Sequence, residues 1–211
     1  MENYNSNNVV KLGGNIVNAP VFSHEIYDEK FYKLYIEVKR LSKICDTLPI
    51  IVSEKIIDID KLNVGLTVLV KGQFRSYNEL KNEKTKLVLS IFVKEIEVKE
   101  KEEIEMLNEI TLEGFLCKKP IYRKTPLGRE ISDVIIAVNR TYKKSDYIPC
   151  ILWGRNAKYS ENMEVGEKVK LVGRIQSRNY EKKLPDETVE QKVAYEISAI
   201  AFSKVKEENE E

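Results

Sequence analysis

The sequence predicts an all-β chain with short helices, folded as two tandem five-stranded OB-fold barrels. Three observations carry that expectation. The chain repeats itself at a spacing near 100 residues, each copy holds β-rich segments in the same order, and a non-strand stretch follows the third segment of each copy.

The repeat is visible at several places. RTYKKSDYIPCILWG at 140–154 aligns without a gap on RLSKICDTLPIIVSE at 40–54. LEGFLCKKP at 112–120 lies over LGGNIVNAP at 12–20, and VGEKVKLVGRIQS at 165–177 lies over VGLTVLVKGQFRS at 64–76. A period this long means duplicated domains, not a short-period solenoid. The charge-dense stretch VKEKEEIEMLNE at 98–109 falls between the copies. The expected division is a divergent, ring-poor barrel over 1–98, a charged linker over 99–107, a second barrel over 108–204 and an acidic tail over 205–211.

In the second copy, residues 110–117, 130–140, 147–153, 168–178 and 193–203 are rich in Val, Ile, Tyr and Phe and predict five strands. RNAKYSENMEVGE at 155–167 holds enough helix formers for one or two turns before Gly166 ends them. The first copy has KIIDIDKLNVG in that place. Five strands with a helix between the third and fourth is the order of an OB-fold barrel.

Strand residues alternate between two faces, which separates lining from outer surface. Ile148, Cys150 and Leu152 match Leu48, Ile50 and Val52, and Val134, Ile136 and Val138 match Leu34, Ile36 and Val38, so these line the barrels. Val169, Leu171 and Ile175 match Val68, Val70 and Phe74 in the same way. On the opposite parity, Tyr147 and Trp153 face Thr47 and Ser53, and Tyr142 in the preceding loop faces Ser42. A buried aromatic is costly to delete, about 3–5 kcal/mol. The serine at position 53 therefore places the Trp153 site outside the core.

Composition bounds the partners. Formal net charge is +1, so a polyanion-binding surface must come from local placement of charge. Residues 110–200 hold 17 Lys and Arg against 12 Asp and Glu, whereas residues 1–100 hold 15 against 14. The copy with the rings is also the basic one. Rings interleaved with cations on an open barrel face suit a single nucleic-acid strand, whose bases stack on the rings while the cations follow the phosphates. Cys45, Cys117 and Cys150 are odd in number and widely spaced, which fits a reducing cytosol. No apolar run approaches the length of a membrane span, so a cytoplasmic chain without membrane contact is expected. Metal-assisted hydrolysis needs converging carboxylates or a ligand cluster, and a phosphate loop needs its glycines; neither pattern is present. The chain is read as no enzyme, with no cofactor.

NEITLEGFLCKKP, DVIIAVNRTYKK, DYIPCILWGRNA and VGEKVKLVGRIQSRNYE, which together cover most of 108–203, resemble the bacterial single-stranded DNA-binding proteins of the replication type. The resemblance implies largely sequence-independent binding of single-stranded DNA in replication, recombination or repair. It implies stacking rings at Tyr142, Tyr147, Trp153 and Tyr180, and outward cations at Lys118, Arg123, Arg140, Lys143, Arg174 and Arg178. It also implies a four-barrel particle, here a homodimer of tandem barrels; Tyr4 to Lys11, which precede the first strand, are read as a candidate dimer arm. Family members typically recruit replication or repair proteins through an acidic tail with an apolar tip. The chain closes on SKVKEENEE without such a tip, so that role is expected to carry over poorly. The alternative is a primosome-like accessory or protein-interaction module with weak DNA binding.

Overall fold

The computed structural model describes residues 7–40, 42, 44–81, 84–99, 107–183 and 187–206. Six strands form the first half: β1 (Asn8–Ile16), β2 (Val21–Ile26), β3 (Glu29–Lys39), β4 (Cys45–Ser53), β5 (Thr67–Lys81) and β6 (Lys84–Val98). Six form the second: β7 (Asn108–Leu116), β8 (Ile121–Lys124), β9 (Glu130–Asn139), β10 (Ser145–Trp153), β11 (Lys168–Lys183) and β12 (Val189–Lys204). The linker expected over 99–107 falls mostly on 100–106, and the end of the acidic tail on 207–211; both stretches lie outside the described residues.

Each half closes on itself. β1 pairs with β5, β5 with β6, β6 in parallel with β4, β4 with β3, and β3 returns to β1. The second half repeats the circuit through β7, β11, β12, β10 and β9. Two five-stranded barrels result, as the segment order predicted. The residues chosen by parity line them: Leu34, Ile36, Val38, Leu48, Ile50 and Val52 are buried, as are their counterparts at 134–138 and 148–152. Phe74 and Ile175 fill matching places in the two interiors.

Three departures from the sequence reading have physical causes. A short sixth strand, β2 or β8, adds to the outer edge of β3 or β9. Its residues are almost all exposed, so no apolar alternation marks it. The β5–β6 and β11–β12 hairpins run past the barrel walls as long ribbons, reaching Lys81 paired with Lys84 and Lys183 paired with Val189. Residues 8–11, expected in an arm, belong to β1 and pair with β7 of the same chain, Val9 opposite Thr111 and Lys11 opposite Glu109.

The stretch after the third barrel strand differs between copies. Gly154 sits at φ 52°, ψ −120°, a conformation only glycine adopts freely, and it turns the chain into α1 (Arg155–Ser160). The helix buries Ala157 and Ser160, whose hydroxyl donates to Ser132 at 2.8 Å. The first copy has Glu54 there and forms a 3-10 turn over Ile59–Lys61, capped by the Asp58 carboxylate accepting the Asp60 N–H.

The barrels are joined by more than the β1–β7 ladder. Asp46 accepts the Ser177 N–H at 2.6 Å, the Ser177 hydroxyl at 2.9 Å and Arg40 Nε at 2.6 Å, while Arg40 also donates to the Ser177 carbonyl. The reciprocal contact uses the matched residues: Asp146 accepts the Ser76 N–H at 2.6 Å, and Arg140 pairs with Asp146 and donates to the Ser76 carbonyl. Both carboxylates are buried. The duplication thus builds a pseudo-twofold clasp in which each barrel's Arg–Asp pair grips the other's fourth wall strand.

Candidate nucleic-acid interface

Of the four expected rings, Trp153 and Tyr147 stand on the outer parity of β10, 38% and 47% exposed. Tyr180 lies on the β11 ribbon, 37% exposed. The backbone of Tyr142 forms the 3-10 turn Thr141–Lys143, but its side chain lies outside the described residues. Trp153 is oriented by its indole N–H, which donates to the Ser198 hydroxyl at 3.0 Å. That bond fixes the ring against the seam where β10 meets β12 and leaves an open face. Ile151 shares the outer parity yet is buried, because it pairs with Ser198 in the closing β10–β12 contact.

The cations fall into two groups. Lys118 and Lys143 are exposed. Arg178 stands on the ribbon near Glu196, at 3.8 Å, and Arg174 faces a cleft beside Lys39 and Arg40. Arg123 is held by Asp133 through Nε at 3.0 Å and Nη2 at 2.8 Å. Arg140 departs from the expected outward orientation: its guanidinium turns into the barrel junction toward Asp146. The Asp–Arg spacing common to both copies was the sequence signal for that clasp, since Arg40 and Asp46 recur as Arg140 and Asp146.

The first barrel corrects the sequence reading more strongly. Ser53 was expected at a non-core, ring-poor surface, yet it is 2% exposed and its hydroxyl donates to the Glu29 carboxylate. Rings stand on the neighbouring strands. Phe31, the cross-strand partner of Ser53, stacks on His24 at 4.8 Å and packs against Phe92 at 5.7 Å. Arg75 lies over Phe92, its guanidinium carbon 3.9 Å from the ring centre. Only the positions matched to the second copy's rings are ring-poor; the face itself is not.

Tyr147 also sits differently from a ring on an isolated barrel. Its backbone N–H donates to the Ser76 hydroxyl of the first barrel at 2.8 Å. A groove of about 700 Å³ opens beside it, with Tyr77, Phe92 and Arg75 of the first barrel and Arg140 and Tyr147 of the second on its walls. Burial and the Arg140 charge push the Arg75 guanidinium down to about 10, with Asp146 opposing them.

Comparison with known proteins places the chain among like sequences. The model of the single-strand binding protein family matches residues 107–203. Single-stranded DNA-binding protein B of Bacillus subtilis is 37% identical over 83 residues, which cover 36% of this chain and 74% of that protein. Single-stranded DNA-binding protein 1 of Staphylococcus aureus is 40% identical over 83 residues, 36% of this chain and 50% of that protein. The chain spans about half the length of most of the curated relatives it matches. The crystal structure of wild-type single-stranded DNA binding protein from Thermus aquaticus superposes with a TM-score of 0.76 at 17% identity, covering 94% of this chain and 93% of that one. That likeness concerns the fold, and it extends over both barrels where the family match covers only the second.

Proposed function

We propose, from the premise that the chain belongs to the single-strand binding protein family, that it binds and covers single-stranded DNA with little regard to sequence. The observation that carries this reading is Trp153, whose indole is anchored at its N–H by Ser198 and open on its face. A ring held at its edge stacks a base without reorganising, at about 1–3 kcal/mol per base. Tyr147 and Tyr180 extend the platform, Tyr142 is assigned to it from the sequence, and Lys118, Arg123, Lys143, Arg174 and Arg178 supply phosphate contacts around it.

Binding in this reading is non-enzymatic and needs no cofactor, and serves replication, recombination or repair in the cytoplasm. Among the described residues no helix is long and apolar enough to cross a membrane. The units doing the work are 1–98 and 108–204, and the particle is a homodimer with four barrels. Val9 and Val172 flank Thr111 in one cross-strand row and expose apolar side chains on the outer sheet face, a surface suited to a second copy.

The test is a titration with oligo(dT) at moderate salt. Trp153, the single tryptophan, should be quenched strongly. Affinity should fall with salt with a slope of about −0.7 per phosphate contacted, and duplex should bind more weakly. Equal or tighter duplex binding sinks the proposal, and weak binding to both favours an accessory module. Sedimentation at micromolar concentration should show the dimer.

A further inference from the structure

The two junctions made by the reciprocal clasp are alike in frame and unlike in chemistry. Around Asp46 the second barrel supplies Gln176, Ser177 and Arg178, and the first supplies Thr47 beyond Asp46. The cleft there measures about 240 Å³, and no ring lines it among the described residues. Around Asp146 the matched positions hold Arg75, Ser76, Tyr77 and Tyr147, and Phe92 stands where the second barrel has Ser198. The groove there measures about 700 Å³.

Both junctions gather cations around a buried carboxylate. At the Asp146 junction two guanidiniums, Arg75 and Arg140, face one buried carboxylate. Arg75 bonds through Nε and Nη2 to the neutral oxygen of Gln73, at 3.2 and 2.7 Å, and so gains no second anion. The uncompensated positive charge lies beside three aromatic walls contributed by both barrels. A partly desolvated cation pair attracts an anion far more strongly than solvated surface lysines do, and arginine forks match phosphate oxygens in pairs.

We infer that the Asp146 junction is a nucleotide subsite shared by the barrels: Arg75 and Arg140 take one backbone phosphate, and Phe92, Tyr77 and Tyr147 wall the attached base. The inference rests on the single-strand reading and deepens it, because a strand lying on Trp153 and Tyr147 then passes onto the first barrel here. The Asp46 junction has a smaller cleft with a polar and cationic lining among the described residues, and Tyr195 stands beside it opposite Ser177.

The decisive experiment is photocrosslinking of the full chain to an iodouridine-substituted oligo(dT), with adducts located by peptide mass spectrometry, alongside Arg75→Gln. Glutamine occupies the matched position 176, so the frame accommodates it. The expected result is adducts on Tyr77 or Phe92 as well as on Tyr147, with R75Q weakening oligo(dT) binding about fivefold and reducing the salt slope by about 0.7. Trp153 quenching in the wild type with adducts confined to residues 108–204 overturns the shared subsite and leaves the single-strand reading standing. Failure of the wild type to quench or bind overturns both. Should R75Q fold poorly, the wild-type adduct map decides alone.

Discussion

The Trp153 indole donates to Ser198 across the seam that closes the second barrel, and the first barrel places Ser53 and Phe92 at the same two positions. Ring and hydroxyl have changed sides. Phe31 replaces Ile131 opposite the exchanged serine, and Ser53 is buried while Trp153 is 38% exposed. One frame therefore carries the ring of this seam on β6 in one copy and on β10 in the other.

The exchange predicts what happens when the second copy's outer rings are reduced to the first copy's residues. Trp153→Ser with Tyr147→Thr should cost about 2–6 kcal/mol of oligo(dT) binding if the stacks are independent, read by anisotropy of a labelled oligonucleotide. Both rings are more than a third exposed, so the fold should survive. A double variant that unfolds while the wild type does not would show that these rings serve packing.

Barrel lining and strand order were legible because each lining residue has a counterpart in the other copy at the same parity. Ile36 with Ile136 and Leu48 with Ile148 are examples, and the duplication served as an internal control. The fate of Ser53 was not legible. Its hydroxyl is bonded to Glu29, twenty-four positions back, across the β3–β4 pair. Such long-range pairing leaves no local periodicity. The Arg140 clasp left only an indirect trace, the Arg–Asp spacing shared by the copies, because its partner strand belongs to the other barrel.

The clasp itself is expected to hold the barrels in fixed register. Asp46→Ala leaves Arg40 half-buried without its carboxylate and removes the acceptor of the Ser177 N–H. Breaking one partner of a buried pair typically costs about 3–5 kcal/mol, to be read from urea unfolding. Ser177→Ala, which removes one hydroxyl, should cost about 1 kcal/mol. A loss under 1 kcal/mol for Asp46→Ala would mean that the Asp46 half of the clasp does not hold the barrels together.

Asp146 gives the clasp a pH dependence. Burial raises its carboxyl above the usual carboxylate value, against the opposing pull of the Ser76 N–H, Arg140 and Arg75. A carboxyl raised on folding binds its proton more tightly in the native state. Its contribution to stability is therefore full below about pH 4, the unfolded value, and is lost as pH rises through the folded value. Asp146→Asn removes that loss. Melting temperatures of the two proteins from pH 4 to 7 should show the variant gaining on the wild type as pH rises; a constant difference across the window would contradict the assignment.

The ring exchange can also be run in reverse. Trp153→Ser alone leaves the β10–β12 seam of the second barrel without the side chain that covers it, and without the bond to Ser198. Adding Ser198→Phe and Ile131→Phe transplants the first barrel's arrangement, in which Phe92 packs against Phe31, the partner of the serine. If the two arrangements are equivalent ways of covering one seam, the added pair should recover stability relative to Trp153→Ser, with a coupling of about 0.5–3 kcal/mol in the range seen for residues in contact. DNA binding should stay weak, because the stacking face of Trp153 is not restored. Thermal melts and oligo(dT) anisotropy separate the two effects. Strict additivity in stability would contradict the equivalence of the two arrangements, and recovery of binding without Trp153 would contradict the role given to that ring.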